Sequence, residues 1–594
     1  MMFQRIGSDS YDRYYSDSYL FRRLWEYFRQ DRTKVWWMLL ASALTSAALA
    51  AAPILAAAAV GTLQQPGMEN TLLLLVGAVL ATAMVRYFAN WIRRYLTTIL
   101  IGDVTAQMRK DALFAAIHRD MAFYDENKSG KILSRITSDS EEFARVLIEG
   151  SDIASQLFQS VILFSVLFTR SIPLTLLLLA WLPPFILLAT IFRRYAREST
   201  RQSSRMIAIV NDTIQETVSG IAVAKNFRQE VAIYDAFADV NQQSYKINLW
   251  RGFVIAMVFP VLNAAAGFAI ASIVYLGANS ALQGNIDVAS WYLYVEAVDR
   301  FWFPFINVTA FWSQLQQAMS ALERIFSLID GKNTIVQADN RPAGHLRGHV
   351  LFDNVHFQYR DGAPVLQGFN LDIAPGETVA LVGHTGAGKS SITKLITRFY
   401  EFQGGRILID GQDIRAFELT SYRRQLGLVP QLPFLFNTTI LENIRYGRPE
   451  ATNAEIEAIA QSVGQGEWLE TIPEGLNSVV GERGSHLSMG QRQLVALMRV
   501  LVQRPAIFIL DEATASVDPF TEGQIQEELD LILKQSTSIL IAHRLSTVRS
   551  ADRIIVLRSG AIIEEGSHES LVAQDGHYAE LYNTYFRHQS LSYI

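Results

Sequence analysis

The sequence contains no cysteine. That absence excludes disulfides, Fe–S clusters, thiolate zinc sites and a cysteine nucleophile together. Charge is scarce as well, at 18% of residues, and the net charge of -5 with a pI near 6.1 offers no bulk basicity for nucleic acid. Half of the 594 residues are hydrophobic and mean hydropathy is +0.15, so a disordered chain is excluded too. The length corresponds to roughly four domains of about 150 residues, but the averages cover two halves of different character.

The first half reads as membrane. A span needs about 20 mostly apolar residues. Six stretches qualify: Val35–Val60, Thr71–Ile92, Ile153–Phe168, Ser171–Phe192, Phe253–Leu276 and Trp291–Gln314. The second contains Arg86, the third is short, and the sixth carries Glu296, Asp299 and Arg300. The start does not read as a signal peptide, because the first apolar run is too long and five more follow. Arg170 apart, the segments after the first, third and fifth spans hold almost no Lys or Arg. The other loops are rich in them, from Arg93 to Arg135 and from Arg193 to Arg228. The positive-inside rule therefore puts both termini and these loops in the cytoplasm. Residues Tyr19–Arg32 mix aromatics with arginine in a helical rhythm, as an interfacial helix would; a solvated helical tail is the alternative. The two cytoplasmic loops are about 60 residues each and lack linker composition. Unstructured loops of that length are uncommon, so helices leaving the membrane as hairpins with a short distal turn are expected.

The second half alternates short β-branched runs with helices from Val350 on. The strand-like VALV runs into Gly383-His384-Thr385-Gly386-Ala387-Gly388-Lys389-Ser390, followed by Ser391 and a helix. The pattern G-x-x-x-x-G-K-[ST] in that setting is a phosphate loop. Its glycines let backbone N–H groups curl around phosphate oxygens and the helix offers its positive end. Lys389 is expected at the β- and γ-phosphates and Ser390 on Mg2+; His384 fills a free position of the loop. The apolar strand Ala506–Leu510 delivers Asp511 and Glu512. Two carboxylates at the end of a buried strand are costly without a cation or substrate. Asp511 is assigned to Mg2+ and Glu512 to polarising the attacking water; a helix-capping acidic pair is the bland alternative. The strand Ser538–Ala542 ends at His543, which is expected near the γ-phosphate.

Leu487-Ser488-Met489-Gly490-Gln491, between the phosphate loop and the acidic strand, resembles the signature of ATP-binding cassette proteins. The resemblance extends through the chain. Tyr359 fits the aromatic that stacks on adenine, and Gln431 the glutamine that senses Mg2+ and contacts the membrane domain. Gly481–Gly484 resembles the cross-linking loop of exporters, and Ser516, Val517 and Asp518 the dimer-contact loop. Phe123–Asp125, Gly130, Ser134, Arg135 and Asp139 fit a first coupling loop, and Glu216, Gly220, Lys225, Phe227 and Glu230 a second. The implied fold is a membrane α-helical domain of six transmembrane helices with long cytoplasmic extensions, followed by an α/β P-loop nucleotide-binding domain, the type IV exporter architecture. Expected boundaries are 1–34 for the tail and elbow helix, 35–325 for the membrane domain, 326–347 for a linker and 348–594 for the nucleotide-binding domain.

The resemblance implies a half-transporter with ATP and Mg2+ as cofactors, placed in a lipid bilayer, most simply the bacterial inner membrane. Two cassettes face each other, and each ATP lies between one phosphate loop and the opposite signature. The usual signature has glycine where this chain has Met489, while Asp511, Glu512 and His543 are intact. That combination resembles the subunit of a heterodimeric exporter that supplies the complete catalytic half-site. A second, different half-transporter is therefore the favoured partner; a homodimer that tolerates methionine is the alternative. The implied cargo is a small amphiphile, a drug or a lipid. An importer on the same architecture and a regulatory ATPase are the other classes. Within the sixth span, Glu296, Asp299, Arg300 and Trp302 are candidates for the substrate pathway, because intramembrane charge and aromatics suit a cavity; Glu296 and Arg300 also stand four apart and can pair along the helix.

Overall fold

The computed structural model describes residues 15–63, 68–359, 362–511, 519–541 and 545–586. They divide into two units. One runs up to His118 and from Ser129 to Gly331; the other comprises Arg119–Lys128 and the chain from Lys332 on.

The first unit is helical. Helix α1 (Asp17–Arg29) is capped by the Ser16 side chain and buries Leu20 and Leu24. Arg23 pairs with Asp330 and lies over the Phe326 ring, 4.6 Å from its centre, so the helix is fastened to the bundle. Helices α2 (Arg32–Thr62) and α3 (Glu69–Ile117) follow. In the second unit, α4 (Met121–Glu126) is the short turn of the first loop. In the first unit again come α5 (Ser129–Ile136), α6 (Ser138–Arg170), α7 (Ile172–Ala180), α8 (Leu182–Ser219), α9 (Ile221–Phe227), α10 (Glu230–Leu282) and α11 (Val288–Asp330). Both long loops are thus helical extensions with a short helix at the tip.

Five segments are long and apolar enough to cross a membrane: α2, α3, the Ser129–Arg170 stretch, the Ile172–Ser219 stretch and α10. The expected sixth, α11, has 43 residues but carries Glu296, Asp299 and Arg300. It compensates by burial, with Leu293, Tyr294, Ala297, Val298, Phe301 and Trp302 all within 3% of full burial. The expected fourth span is continuous in sequence but broken in the structure. Pro183 and Pro184 cannot continue α7 and instead open α8, Trp181 forming the joint.

In the second unit, a four-stranded antiparallel sheet has the order β2-β1-β4-β5, with β1 Val350–Gln358, β2 Pro364–Ile373, β4 Gly404–Ile409 and β5 Gln412–Asp413. A six-stranded sheet has the order β10-β9-β3-β8-β7-β6, with β3 Thr378–Val382, β6 Leu426–Val429, β7 Ile507–Asp511, β8 Thr537–Ile541, β9 Arg553–Arg558 and β10 Ala561–Gly566. Strands β3, β6, β7, β8 and β9 run parallel, and only β10 is antiparallel. Buried on both faces, the parallel strands are continuous apolar runs. The tip helix α4 belongs with this unit. Asp120 caps it, accepting from the Phe123 N–H, and also accepts from the Thr334 hydroxyl at 2.6 Å, while Ala122 packs against the core.

Candidate functional site

Because β3, β6, β7 and β8 are parallel, their carboxyl ends gather at one edge of the sheet, where ligands of α/β folds bind. The phosphate loop leaves β3 at that edge. Gly383 must be glycine, because a Cβ there would lie 2.3 Å from the Leu557 carbonyl oxygen. Gly386 and Gly388 have φ of 85° and 104°, and Gly388 caps the helix Lys389–Ile396. Lys389 is buried, with Nζ donating to the Gly383 carbonyl at 2.5 Å and that of His384 at 3.2 Å. Its ammonium is held inside the loop, where phosphate oxygens would compete for it.

A cavity of about 390 Å³ opens over this loop. It brings together Tyr359, Thr385–Ser391, Gln431 and Asp511, residues that the sequence assigns to one nucleotide from four separate places. Tyr359 follows β1, and its hydroxyl lies 3.0 Å from that of Ser391. Lys394 Nζ sits 5.5 Å from the centre of its ring. Gln431 follows β6 and Asp511 ends β7. Gly383 and His384 do not line the cavity; His384 stacks obliquely at 5.5 Å from His577. Val365 and Ile541 complete the wall, and apolar strand residues of that kind carry no chemical signal in a sequence. Glu512, His543, Ser516, Val517 and Asp518 lie outside the described residues.

The oxygens of Ser390, Gln431 and Asp511 suit a hard cation. Magnesium in phosphate sites takes one or two protein oxygens and completes its shell with phosphate and water, so no carboxylate cluster is needed. Among the described residues no such cluster occurs.

The signature-like segment is elsewhere in the domain and does not line the cavity. Ser488 caps the helix Met489–Gln503 in a capping box with Gln491, and Gln491 also donates to Thr471 at 3.0 Å. Leu487 and Gly490 are buried, Ser488 is exposed and Met489 is half-buried at the first turn. Arg499, on the same helix, is a connection the sequence did not suggest. It donates to the Asn443 carbonyl and the Phe434 carbonyl, both at 2.7 Å, and burial pulls its guanidinium down to about 10. The helix is thereby tied to the segment after Gln431, which exposes Leu432, Phe434 and Phe436.

In α11 the Glu296 carboxylate lies 3.5 Å from Arg300, whose guanidinium also reaches the Leu49 carbonyl. Trp302 is buried and stacked on Phe185 at 4.4 Å, a packing position within this protomer. The Asp299 side chain is outside the described residues.

Residues 366–515 match the family described as ABC transporter, and residues 35–295 match the ABC transporter transmembrane region. An ABC transporter ATP-binding protein of Bacillus subtilis, of uncharacterised role, is 36% identical over 87% of this chain and 86% of its own. An ATP-dependent lipid A-core flippase of Nitrosococcus oceani is 32% identical over 96% of each chain. A bacterial Atm1-family ABC exporter solved with ATP bound superimposes with a TM-score of 0.76, at 27% identity over 93% of this chain and 98% of that one.

Proposed function

The chain belongs to the ABC transporter family, as a multi-pass membrane domain fused to a cytoplasmic domain whose ATPase activity drives transport, and on that premise we propose that it exports lipids or other amphiphiles as the catalytic half of a heterodimer. Its relatives include a protein named as a lipid flippase, which supports an amphiphilic cargo. Exporters of this family act as dimers in the bilayer. The observation that carries the asymmetric reading is Met489, a half-buried side chain at the point where a glycine would let the backbone approach the partner's nucleotide.

In the proposed mechanism the adenine stacks on Tyr359 and the phosphates enter the loop Gly383–Ser390. Lys389 leaves its two carbonyls for the β- and γ-phosphate oxygens, at little conformational cost because its stem is already buried. Ser390, Gln431 and Asp511 would hold Mg2+, which when bound would offset charge on the phosphates. Glu512 accepts the proton of the attacking water and His543 orients the γ-phosphate. The partner's signature supplies the N–H groups that close the site, as Ser488–Gln491 of this chain do for the partner's ATP. The role proposed for Ser516, Val517 and Asp518 is contact with the partner's cassette. The two coupling loops pass closure on to the membrane; their short helices are α4 and α9, and α9 exposes Val223 and Phe227. Glu296, Asp299, Arg300 and Trp302 are the pathway candidates, Trp302 being buried against Phe185.

Native mass of the complex recovered from source membranes by a tag on this chain tests the pairing. A second chain at one-to-one, with an intact signature and a weakened glutamate, is expected. A single species of twice 66.6 kDa overturns the heterodimer.

A further inference from the structure

Where α1 lies against α2, α3, α6 and α11, a cavity of about 440 Å³ remains, separate from the nucleotide site. Phe21, Trp25 and Phe28 of α1 form one wall; Thr97 of α3, Gly150 of α6 and Phe311 of α11 contribute to the others. The volume falls in the range of small-molecule sites. Gly150 makes room for the aromatic wall, since a Cβ there would lie 3.1 Å from the Phe311 ring.

Three observations define the occupant. The mouth is apolar and open, with Phe21 52% and Trp25 54% exposed, and it lies level with the first turns of α2, where the chain enters the membrane from the cytoplasm. Water is a poor partner for such a surface, and the inner leaflet is at hand. Second, Thr97 is 3% exposed and its hydroxyl has no partner among the described residues. Thr98 and Thr105 of the same helix each donate to the carbonyl four residues back, at 2.9 and 2.7 Å. The Thr97 oxygen has no accessible surface, so it offers an occupant no hydrogen bond, and the lining is nearly all apolar, as an acyl chain requires. Third, Arg23 is paired with Asp330 and Asp31 with Lys34. The exposed charges left over residues 22–32 are Arg22, Arg29 and Arg32 against Glu26, an excess that favours anionic headgroups.

We propose that this cavity holds one acyl chain of an anionic phospholipid of the inner leaflet, with α1 as the flap over it. The site belongs to a resident lipid and does not depend on which compound is exported.

The test uses the full chain, with its partner if it has one, in nanodiscs containing phosphatidylglycerol with a diazirine on one acyl chain. After illumination, adducts are mapped by peptide. Labelling is expected on peptides carrying Phe21–Leu39 and Thr97–Ile101, above that of the lipid-facing residues around Phe259 and Phe268 of α10. Leu147→Trp and Met38→Trp, which fill the cavity from different helices, should each reduce it roughly tenfold, the effect of displacing about two methylenes. Labelling around Phe259 should not change. Two variants are used so that a folding failure in one leaves the other to decide, with ATPase activity as the control for integrity. The same probe on phosphatidylcholine should label the cavity about fivefold less, the worth of one basic side chain near an anionic surface. Equal labelling of the α1 and α10 peptides, or no loss in a folded filling variant, overturns the site. Equal labelling by the two headgroups overturns its anionic preference.

Discussion

The helical unit and the nucleotide-binding unit solve opposite burial problems. In the second, Ile509, Ile539 and Val379 are fully buried at the centre of the sheet. In the first, Leu73, Leu74 and Tyr275 are 71–75% exposed along long helices. One unit hides its large apolar side chains from water, while the other offers them to hydrocarbon as apolar as they are. The membrane unit must find its specificity in close packing and polar contacts. Ser46 bonds the Ser155 carbonyl at 2.8 Å, and Asp139 takes both arms of Arg324 at 2.6 and 2.8 Å. Chemistry is divided just as unevenly, being concentrated in a few atoms of the nucleotide half and spread thinly in the other.

The sharpest break of that comparison is in turnover. Glu512→Gln should lower steady-state ATPase by about 10²–10⁴-fold, the usual worth of a general base, with ATP binding retained. Glu296→Gln should leave basal ATPase within about twofold, because it loses only one ion pair along a helix. Appreciable turnover in the first variant would remove Glu512 from the proposed role. Stability should divide the same way. Ile509→Ala leaves a cavity in a close-packed core and should cost about 2–5 kcal/mol. Leu74→Ala faces hydrocarbon in both states of packing and should move the melting midpoint of the membrane unit very little. Thermal denaturation in nanodiscs, followed separately for each unit, checks the pair.

How much of this was legible in the sequence follows from the range of the forces involved. The phosphate loop is readable because positive φ dictates Gly386 and Gly388 locally, while the approach of Leu557 to Gly383 is a constraint from a distant strand. The long hairpins are readable because polar periodic helix is the alternative to an improbable loop. The break at Trp181 is hidden, since apolar residues continue through it and only Pro183 and Pro184 mark the new helix. The contact of Asp120 with Thr334 spans 214 positions and has no local sign. Arg499 looks like any basic residue of an amphipathic helix until the fold buries it under two carbonyls. The signature is legible as a motif, but within this chain it lines no part of the nucleotide cavity.

The nucleotide half does contain one exception to its own rule. Glu528, on the helix Pro519–Leu533, is fully buried and neither carboxylate oxygen has a partner among the described residues. Burial raises its pKa well above the ordinary 4.5. A carboxyl whose folded value is raised binds its proton more tightly in the folded state. Its favourable contribution is therefore complete below the unfolded value and is lost as pH rises through the folded one. Glu528→Met, similar in size and uncharged, should raise the melting midpoint of this domain at pH 8 by the equivalent of about 1–3 kcal/mol, the cost of an unsatisfied buried group. The gain should shrink towards pH 5. A gain that is equal at both pH values would mean that the carboxyl does not titrate between them.

A small effect is also expected at a fully buried polar contact of the membrane unit. Tyr294 is inaccessible, and its hydroxyl lies 2.7 Å from that of Thr175, 2.7 Å from the Leu167 carbonyl and 2.6 Å from the Ser171 carbonyl. In water-soluble cores, breaking such a cluster is expensive, because the abandoned groups remain buried. Here the acceptors sit at the end of α6 and the start of α7, and the Thr175 hydroxyl also donates to the Ser171 carbonyl at 2.8 Å. The groups left behind by Tyr294→Phe therefore keep a local partner. Side-chain hydrogen bonds within membranes average only about 0.6 kcal/mol, since the unfolded chain in the bilayer also finds partners. The melting midpoint of the membrane unit should fall by no more than that energy allows. A loss of several kcal/mol would mean that the membrane unit stores its stability in a few polar points, as the nucleotide half stores its chemistry.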